Sequence, residues 1–186
     1  MHLIADVTHG SSGFPGNRVL AVGQRPVPTN WLNHCVTSVN SLGSLYGDLG
    51  DYERSIGYFT QILSIDSNSI GALNNIAYDK NQSGAYKEAI VYADKTYKFA
   101  KDDEARGVAL NNKAYSYLKL GQLGEALNLI DASIKLHPKN SFAYYHKALV
   151  YIEQKKFEKA CTNLQKSKEL GGINITAGLI EKYCKK

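Results

Sequence analysis

Apolar residues along this chain recur with the period of a helix. Ala126, Leu127, Ile130, Ser133 and Ile134 fall at i, i+1, i+4, i+7 and i+8, which places them on one helical face. Ser55, Ile56, Phe59, Ile62 and Leu63 repeat that spacing, and Leu110, Ala114 and Tyr117 line one side of another segment. Between paired segments stand Gly50, Gly84 and Gly121, where glycine can take the left-handed conformation that ends a helix. The pattern predicts helix–turn–helix units. Small residues at Ala77, Ala114 and Ala148, and at Ser55, Ala89, Ala126 and Ala160, mark where two helices must come close. A bulky side chain there would hold the hairpin open.

The units are copies of one another. Ala72-Leu73-Asn74-Asn75-Ile76-Ala77-Tyr78 returns as Ala109-Leu110-Asn111-Asn112-Lys113-Ala114-Tyr115, and more loosely as Ala143-Tyr144-Tyr145-His146-Lys147-Ala148-Leu149. The copies lie 37 and 34 residues apart, the longer spacing being the shorter one plus a three-residue insertion. A second phrase keeps the same register: Gly50-Asp51-Tyr52-Glu53-Arg54-Ser55-Ile56, Gly84-Ala85-Tyr86-Lys87-Glu88-Ala89-Ile90, Gly121-Gln122-Leu123-Gly124-Glu125-Ala126-Leu127 and Lys155-Lys156-Phe157-Glu158-Lys159-Ala160-Cys161. A period in this range predicts a stacked array of small units rather than one globular core. Such arrays usually present a long binding surface and rarely carry chemistry.

These phrases resemble the tetratricopeptide repeat (TPR) family. The likeness rests on Leu42-Gly43-x-x-Tyr46 and Ala114-x-x-Tyr117 in first helices, Ala126 and Ala160 in second helices, and Pro138 closing the third unit. It covers residues 36–172 and implies an all-α solenoid of about four repeats (36–69, 70–103, 107–140 and 141–172). Lys80 departs from the family's usual tyrosine, Lys113 and Lys147 depart from leucine, and Pro138 is the one closing proline of four. After Gly171-Gly172, the amphipathic run Ile175, Leu179, Ile180 and Tyr183 predicts a capping helix over 173–186, which an array needs to cover its last apolar face. The stretch from Ala160-Cys161 to Glu181-Lys182-Tyr183-Cys184 is similar to the ending of TPR proteins common in Bacteroidetes.

Residues 1–28 read differently. Gly10, Gly13, Gly16, Gly23, Pro15 and Pro26 interrupt any period, so the segment is expected to be an extended or disordered arm. Gly10-Ser11-Ser12-Gly13 resembles a cloning linker. Thr29 or Asn30 then makes a helix cap before Trp31. No stretch has the length and apolarity of a membrane span, and Met1-His2 does not open a signal peptide. A cytoplasmic location is expected, or a periplasmic one if the native N-terminus differs.

Composition narrows the function. The chain has 186 residues, 44% of them hydrophobic, and a net charge of +5. Residues 36–103 hold 6 Lys/Arg against 9 Asp/Glu, and residues 104–186 hold 14 against 7, so the array runs from an acidic end to a basic one. Lysines solvating outer helices would account for this charge, or the basic end could attract an acidic peptide tail, nucleic acid or an anionic surface; without an interleaved aromatic platform a nucleic-acid partner is not expected. His2, His9, His34, His137 and His146 form no His-Glu-x-x-His, and no Cys-x-x-Cys links Cys35, Cys161 and Cys184. Gly10–Gly16 lacks the ending of a phosphate loop. No enzyme, metal or cofactor site is expected. Three cysteines suit a reduced compartment, although Cys161 and Cys184 lie on elements expected to touch and could pair in an exported protein.

The resemblance implies that first helices line a concave groove that takes an extended peptide or a helix. Projected onto this chain, it exposes Asn40, Ser41, Ser44, Asn74, Asn75, Tyr78, Asn111, Asn112, Tyr115, Tyr145, His146 and Leu149. An asparagine amide carries donors and an acceptor, so it can pair with both the C=O and the N–H of an extended backbone. Asn75 and Asn112 stand at equivalent places and could form a short ladder between Tyr78 and Tyr115. Equally, one asparagine of each pair could bridge neighbouring helices. The cations of the carboxylate-gripping TPR domains are absent, since Asn40, Ser44, Asn75, Val108 and Asn112 hold those places. The reading is a non-catalytic scaffold for a protein or peptide partner, with self-association through terminal or convex faces as the alternative.

Overall fold

The computed structural model describes residues 29–184. They form nine α-helices and no strand: α1 (Thr29–Asp48), α2 (Tyr52–Ile65), α3 (Ile70–Gln82), α4 (Tyr86–Phe99), α5 (Asp103–Lys119), α6 (Leu123–Leu136), α7 (Ser141–Glu153), α8 (Phe157–Glu169) and α9 (Ile173–Cys184). Contacts divide the chain between Cys35 and Val36, and the architecture is that of residues 36–184. The arm expected over 1–28 lies outside the described residues. Helix α1 already includes Thr29 and Asn30, which the sequence placed at its cap.

Four antiparallel hairpins, α1/α2 through α7/α8, stack as an all-α solenoid closed by α9. Each hairpin turns through the same backbone bond. The amide of Asp51 donates to the Tyr46 carbonyl at 2.9 Å, and Ala85 to Lys80, Gln122 to Tyr117 and Lys156 to Tyr151 repeat it at 2.8–2.9 Å. This closure needs a left-handed residue just before the donor, and Gly50, Gly84 and Gly121 supply it with φ of 79°, 83° and 77°.

Packing follows the small residues. Ala77, Ala114, Ala148, Ser55, Ala89, Ala126 and Ala160 are all fully buried where helices cross. At Gly43 the approach is close, because a Cβ there would lie 2.8 Å from the Phe59 ring. Phe59, Ile62 and Ile76 form one core cluster, Ile130 and Val150 a second, and Leu164 a third under α9. Burying each such side chain contributes about 2 kcal/mol.

Three apparent departures from the repeat have structural reasons. The insertion lengthens α5 to 17 residues against 13 in α3 and α7, adding a turn that Asp102 caps by accepting from the Ala105 amide. Lys113 reaches Asp94 at 2.7 Å and Lys147 reaches Asp131 at 2.6 Å, each tying a hairpin to the one before it. Lys80 pairs with Glu88 at 2.7 Å across its own hairpin.

Helix α9 folds back on α8 and buries Leu179 and Ile180 against Ala148, Ala160 and Leu164. It also brings Cys184 to Cys161 with Cα atoms 5.5 Å apart, and the two form a disulfide. The expectation of three free thiols therefore gives way at this pair, because antiparallel packing joins positions 23 residues apart in sequence; Cys35 is free and exposed. No helix among the described residues is long and apolar enough to cross a membrane.

Candidate functional site

The first helices of the middle hairpins carry the repeated Ala-Leu-Asn-Asn phrase, and its polar residues meet in one cavity of about 230 Å³. Asn74, Asn75 and Tyr78 of α3, Asn111, Asn112 and Tyr115 of α5, and His146 of α7 all line it. Ser44 lies in an adjoining hollow with Asn75, Tyr78, Asp48 and Asp79. Asn40 and Tyr145 line neither, and Tyr145 packs instead toward α8 and α9.

Within the cavity the asparagines divide by role. Asn112 is 7% exposed and its amide nitrogen donates to Asn74 Oδ1 at 2.8 Å. Its backbone carbonyl accepts from Asn81 Nδ2 at 2.8 Å, while Asn81 Oδ1 accepts from the Ser116 hydroxyl at 2.6 Å. This chain of bonds stitches α3 to α5. Asn111, 4% exposed, holds His146 Nδ1 at 2.9 Å and so stitches α5 to α7. The expected exposure of Asn111, Asn112 and His146 is corrected by this burial: stacked first helices come close enough to consume their polar atoms. Asn75 is different. It is half-buried, has no hydrogen-bond partner among the described residues, and borders both hollows.

Burial, and secondarily the Lys119 charge, lowers the pKa of His146 to about 3, so its imidazole is neutral. With Nδ1 donating to the Asn111 oxygen, Nε2 keeps a lone pair able to accept. The Tyr115 ring lies 4.6 Å from the imidazole centroid, and the Lys119 ammonium sits 5.4 Å from the Tyr115 ring. Burial raises the pKa of the Tyr78 hydroxyl, which therefore remains a donor. No residue lining the cavity carries a formal charge at neutral pH. The arrangement suits an uncharged segment offering amide groups and an apolar side chain.

Sequence reasoning missed Phe142, Asn81, Gln82 and Asn140 in this lining, and it placed Val108 at a groove position without naming it as a contact. Phe142 was recoverable, since it directly precedes the third copy of the phrase as Val108 precedes the second. Asn81 also carried a signal, because its counterparts Leu118 and Ile152 are apolar and a lone polar residue in that place needs a partner. Asn81, 3% exposed, is accordingly a buried bridge from α3 to α5.

Comparison with known proteins adds the following. A profile for the tetratricopeptide repeat matches residues 36–69, and one for subunit 3 of the anaphase-promoting complex, cyclosome, matches residues 82–167. The chain is 28% identical over 141 residues to a TPR repeat-containing protein of Methanocaldococcus jannaschii, covering 69% of this chain and 23% of that protein. It is 36% identical over 75 residues to serine/threonine-protein phosphatase T of Trypanosoma brucei brucei, covering 40% and 16%. The chain thus spans less than a quarter of the length of either relative. Among solved structures, a thermophilic TPR protein in Thermus thermophilus superposes with a TM-score of 0.66 at 18% identity, over 73% of this chain and 74% of that one. A chain of the APC/C hetero-tetramer Cut9-Hcn1 gives 0.64 at 19%, over 77% and 29%, and MamA of Desulfovibrio magneticus RS-1 gives 0.56 at 22%, over 73% and 75%. At these identities the likeness is one of fold.

Proposed function

Since the chain is a tetratricopeptide repeat protein, we propose that it is a non-catalytic scaffold whose concave groove takes an extended, uncharged segment of a partner protein. The interacting array is residues 36–172, in units 36–69, 70–103, 107–140 and 141–172, with 173–186 as its cap. The observation that carries this reading is the free amide of Asn75 in an uncharged cavity walled by Tyr78, Tyr115 and Phe142. An amide so placed can accept from a peptide N–H and donate to a peptide C=O, and His146 Nε2 offers a further acceptor. Asn112 and Asn111 support the groove by holding its helices in register. The phosphatase match spans a small part of that enzyme and carries no activity to this chain.

The test is affinity capture from the native lysate with wild-type and Asn75→Ala/Tyr78→Ala baits. Capture of a protein that the double variant loses, with melting unchanged, is the expected result. Equal capture by both baits sinks the groove reading.

A second reading has an observation of its own. Leu42 and Leu45 on α1 and Leu49 in the turn just after it are 41%, 53% and 71% exposed at helical spacing, an apolar stripe suited to a second copy of this chain. Sedimentation across a range of concentrations decides it, since a concentration-independent monomer rules out self-pairing.

A further inference from the structure

The turn of the fourth hairpin differs from its three sisters in a way the fold does not require. Where the others place glycine, Lys155 holds φ of 58°, alone among the described non-glycine residues in that region. A side chain there costs conformational energy that glycine avoids. Residues 155–159 carry three lysines and one glutamate, a balance of +2, whereas 50–54, 84–88 and 121–125 carry −1, 0 and −1. The sister turns make the same closing bond with glycine at the left-handed position and no cluster of lysines, so they serve as internal controls. The lysines are not there to form the turn.

They border a cavity of about 640 Å³ whose floor is aromatic. Phe157 and Tyr183 stack with centroids 5.5 Å apart and planes 11° apart, and Phe157 stays 43% exposed. The Cys161–Cys184 disulfide lies in the same wall and fixes α9 to α8 beside the stack. Lys155, Lys156 and Lys159 pair with no carboxylate among the described residues, in contrast to Lys80, Lys113 and Lys147. The Lys182 ammonium adds a cation 5.1 Å from the Tyr183 ring.

We propose that this cavity is a second docking site, separate from the groove, for an acidic peptide segment of a partner protein. Carboxylates of the segment meet Lys155, Lys156 and Lys159, and an aromatic or aliphatic side chain lies on the Phe157–Tyr183 pair. A peptide fits better than a single-stranded nucleic acid. Each ring already spends one face on the other, which leaves space for one side chain rather than a run of bases. Glu158 interrupts the cations where a phosphate backbone would need them continuous, and Lys166, farther along α8, is paired with Glu169.

Fluorescence anisotropy tests this with a labelled Glu-Glu-Phe-Glu-Glu pentapeptide, its Gln-Gln-Phe-Gln-Gln counterpart, and a labelled single-stranded oligodeoxythymidylate. The protein is used oxidised, as wild type, as Lys155→Gly/Lys156→Gln/Lys159→Gln and as Asn75→Ala, with helicity checked by circular dichroism. The triple variant restores the sister glycine, so it folds. The expected result is binding of the acidic peptide that weakens about tenfold or more in the triple variant, is unaffected by Asn75→Ala, and is absent for the glutamine peptide. No binding of the acidic peptide, equal binding by the triple variant, equal binding of the glutamine peptide, or tighter binding of the oligonucleotide each overturns the proposal. Because Asn75→Ala reports only on the groove, failure here and failure there are read separately.

Discussion

Ser55 has one hydroxyl hydrogen and two acceptors within reach, the Gly43 carbonyl at 2.7 Å and Asp79 Oδ2 at 2.6 Å. A carbonyl can only accept, so serving both contacts at once requires a proton on Asp79. Burial, with the nearby Asp48 charge acting in the same direction against the Ser55 hydrogen bond, raises the Asp79 pKa to about 6 from 3.8. The folded state therefore binds the proton more tightly than the unfolded chain. Its contribution to stability is complete below about 3.8 and is lost as pH rises through about 6. His146 has the opposite sign: with its pKa lowered to about 3 from 6.5, its contribution is complete above about 6.5 and is lost as pH falls. Asp79→Asn supplies a permanent donor to Ser55, and it should stabilise the protein at pH 7 by about 2 kcal/mol. Urea unfolding across the acid range should then show the variant without the decline between pH 4 and 6. A variant with the wild-type pH slope would contradict the assignment.

At the scale of the element, the hairpin turn is the informative unit. Three turns use glycine and the fourth uses Lys155 with the same left-handed backbone. Lys155→Gly should therefore raise stability by about 0.5–1 kcal/mol, read as a higher urea midpoint with an unchanged slope. A lower midpoint would mean that the lysine side chain makes a stabilising contact the turn depends on. The helices themselves were legible in the sequence because the apolar period, the turn glycines and the small crossing residues all agree. The roles of Asn111 and Asn112 were not. Their position on a helix face is written in the sequence, but whether an amide meets a ligand or a neighbouring helix depends on the distance between stacked hairpins. Here α5 lies close enough to α3 and α7 for the asparagines to bond across.

Across the whole array, stability is a chain of neighbour contacts rather than one core. The middle hairpins have the most: the Asn74–Asn112 and Asn81–Ser116 bonds and the Lys113–Asp94 pair join α3 and α4 to α5. The exposed pair alone contributes little, about 0.5 kcal/mol. Helix α9, at the end, has a neighbour on one side only and is held by Leu179, Ile180 and the disulfide. Closing a loop of 23 residues by such a link is worth about 3 kcal/mol. Reduction should therefore raise hydrogen exchange across 173–184 well before α3–α6 open. Uniform exchange along the array after reduction would show that the cap is not the weak end.

The sequence by itself determined the period, the four hairpins, the capping helix and the first-helix face on which a partner surface can be built. It could do so because those features rest on local spacing: every fourth residue, a glycine at each turn, a small residue at each crossing. Tertiary structure decided which polar side chains remain free. It left Asn75 open while enclosing Asn112, joined Cys161 to Cys184, and set Phe157 against Tyr183 beside three lysines that pair with no carboxylate among the described residues. Those outcomes depend on distances between residues 20 to 40 positions apart, and only the packing of one hairpin on the next, and of α9 on α8, sets them.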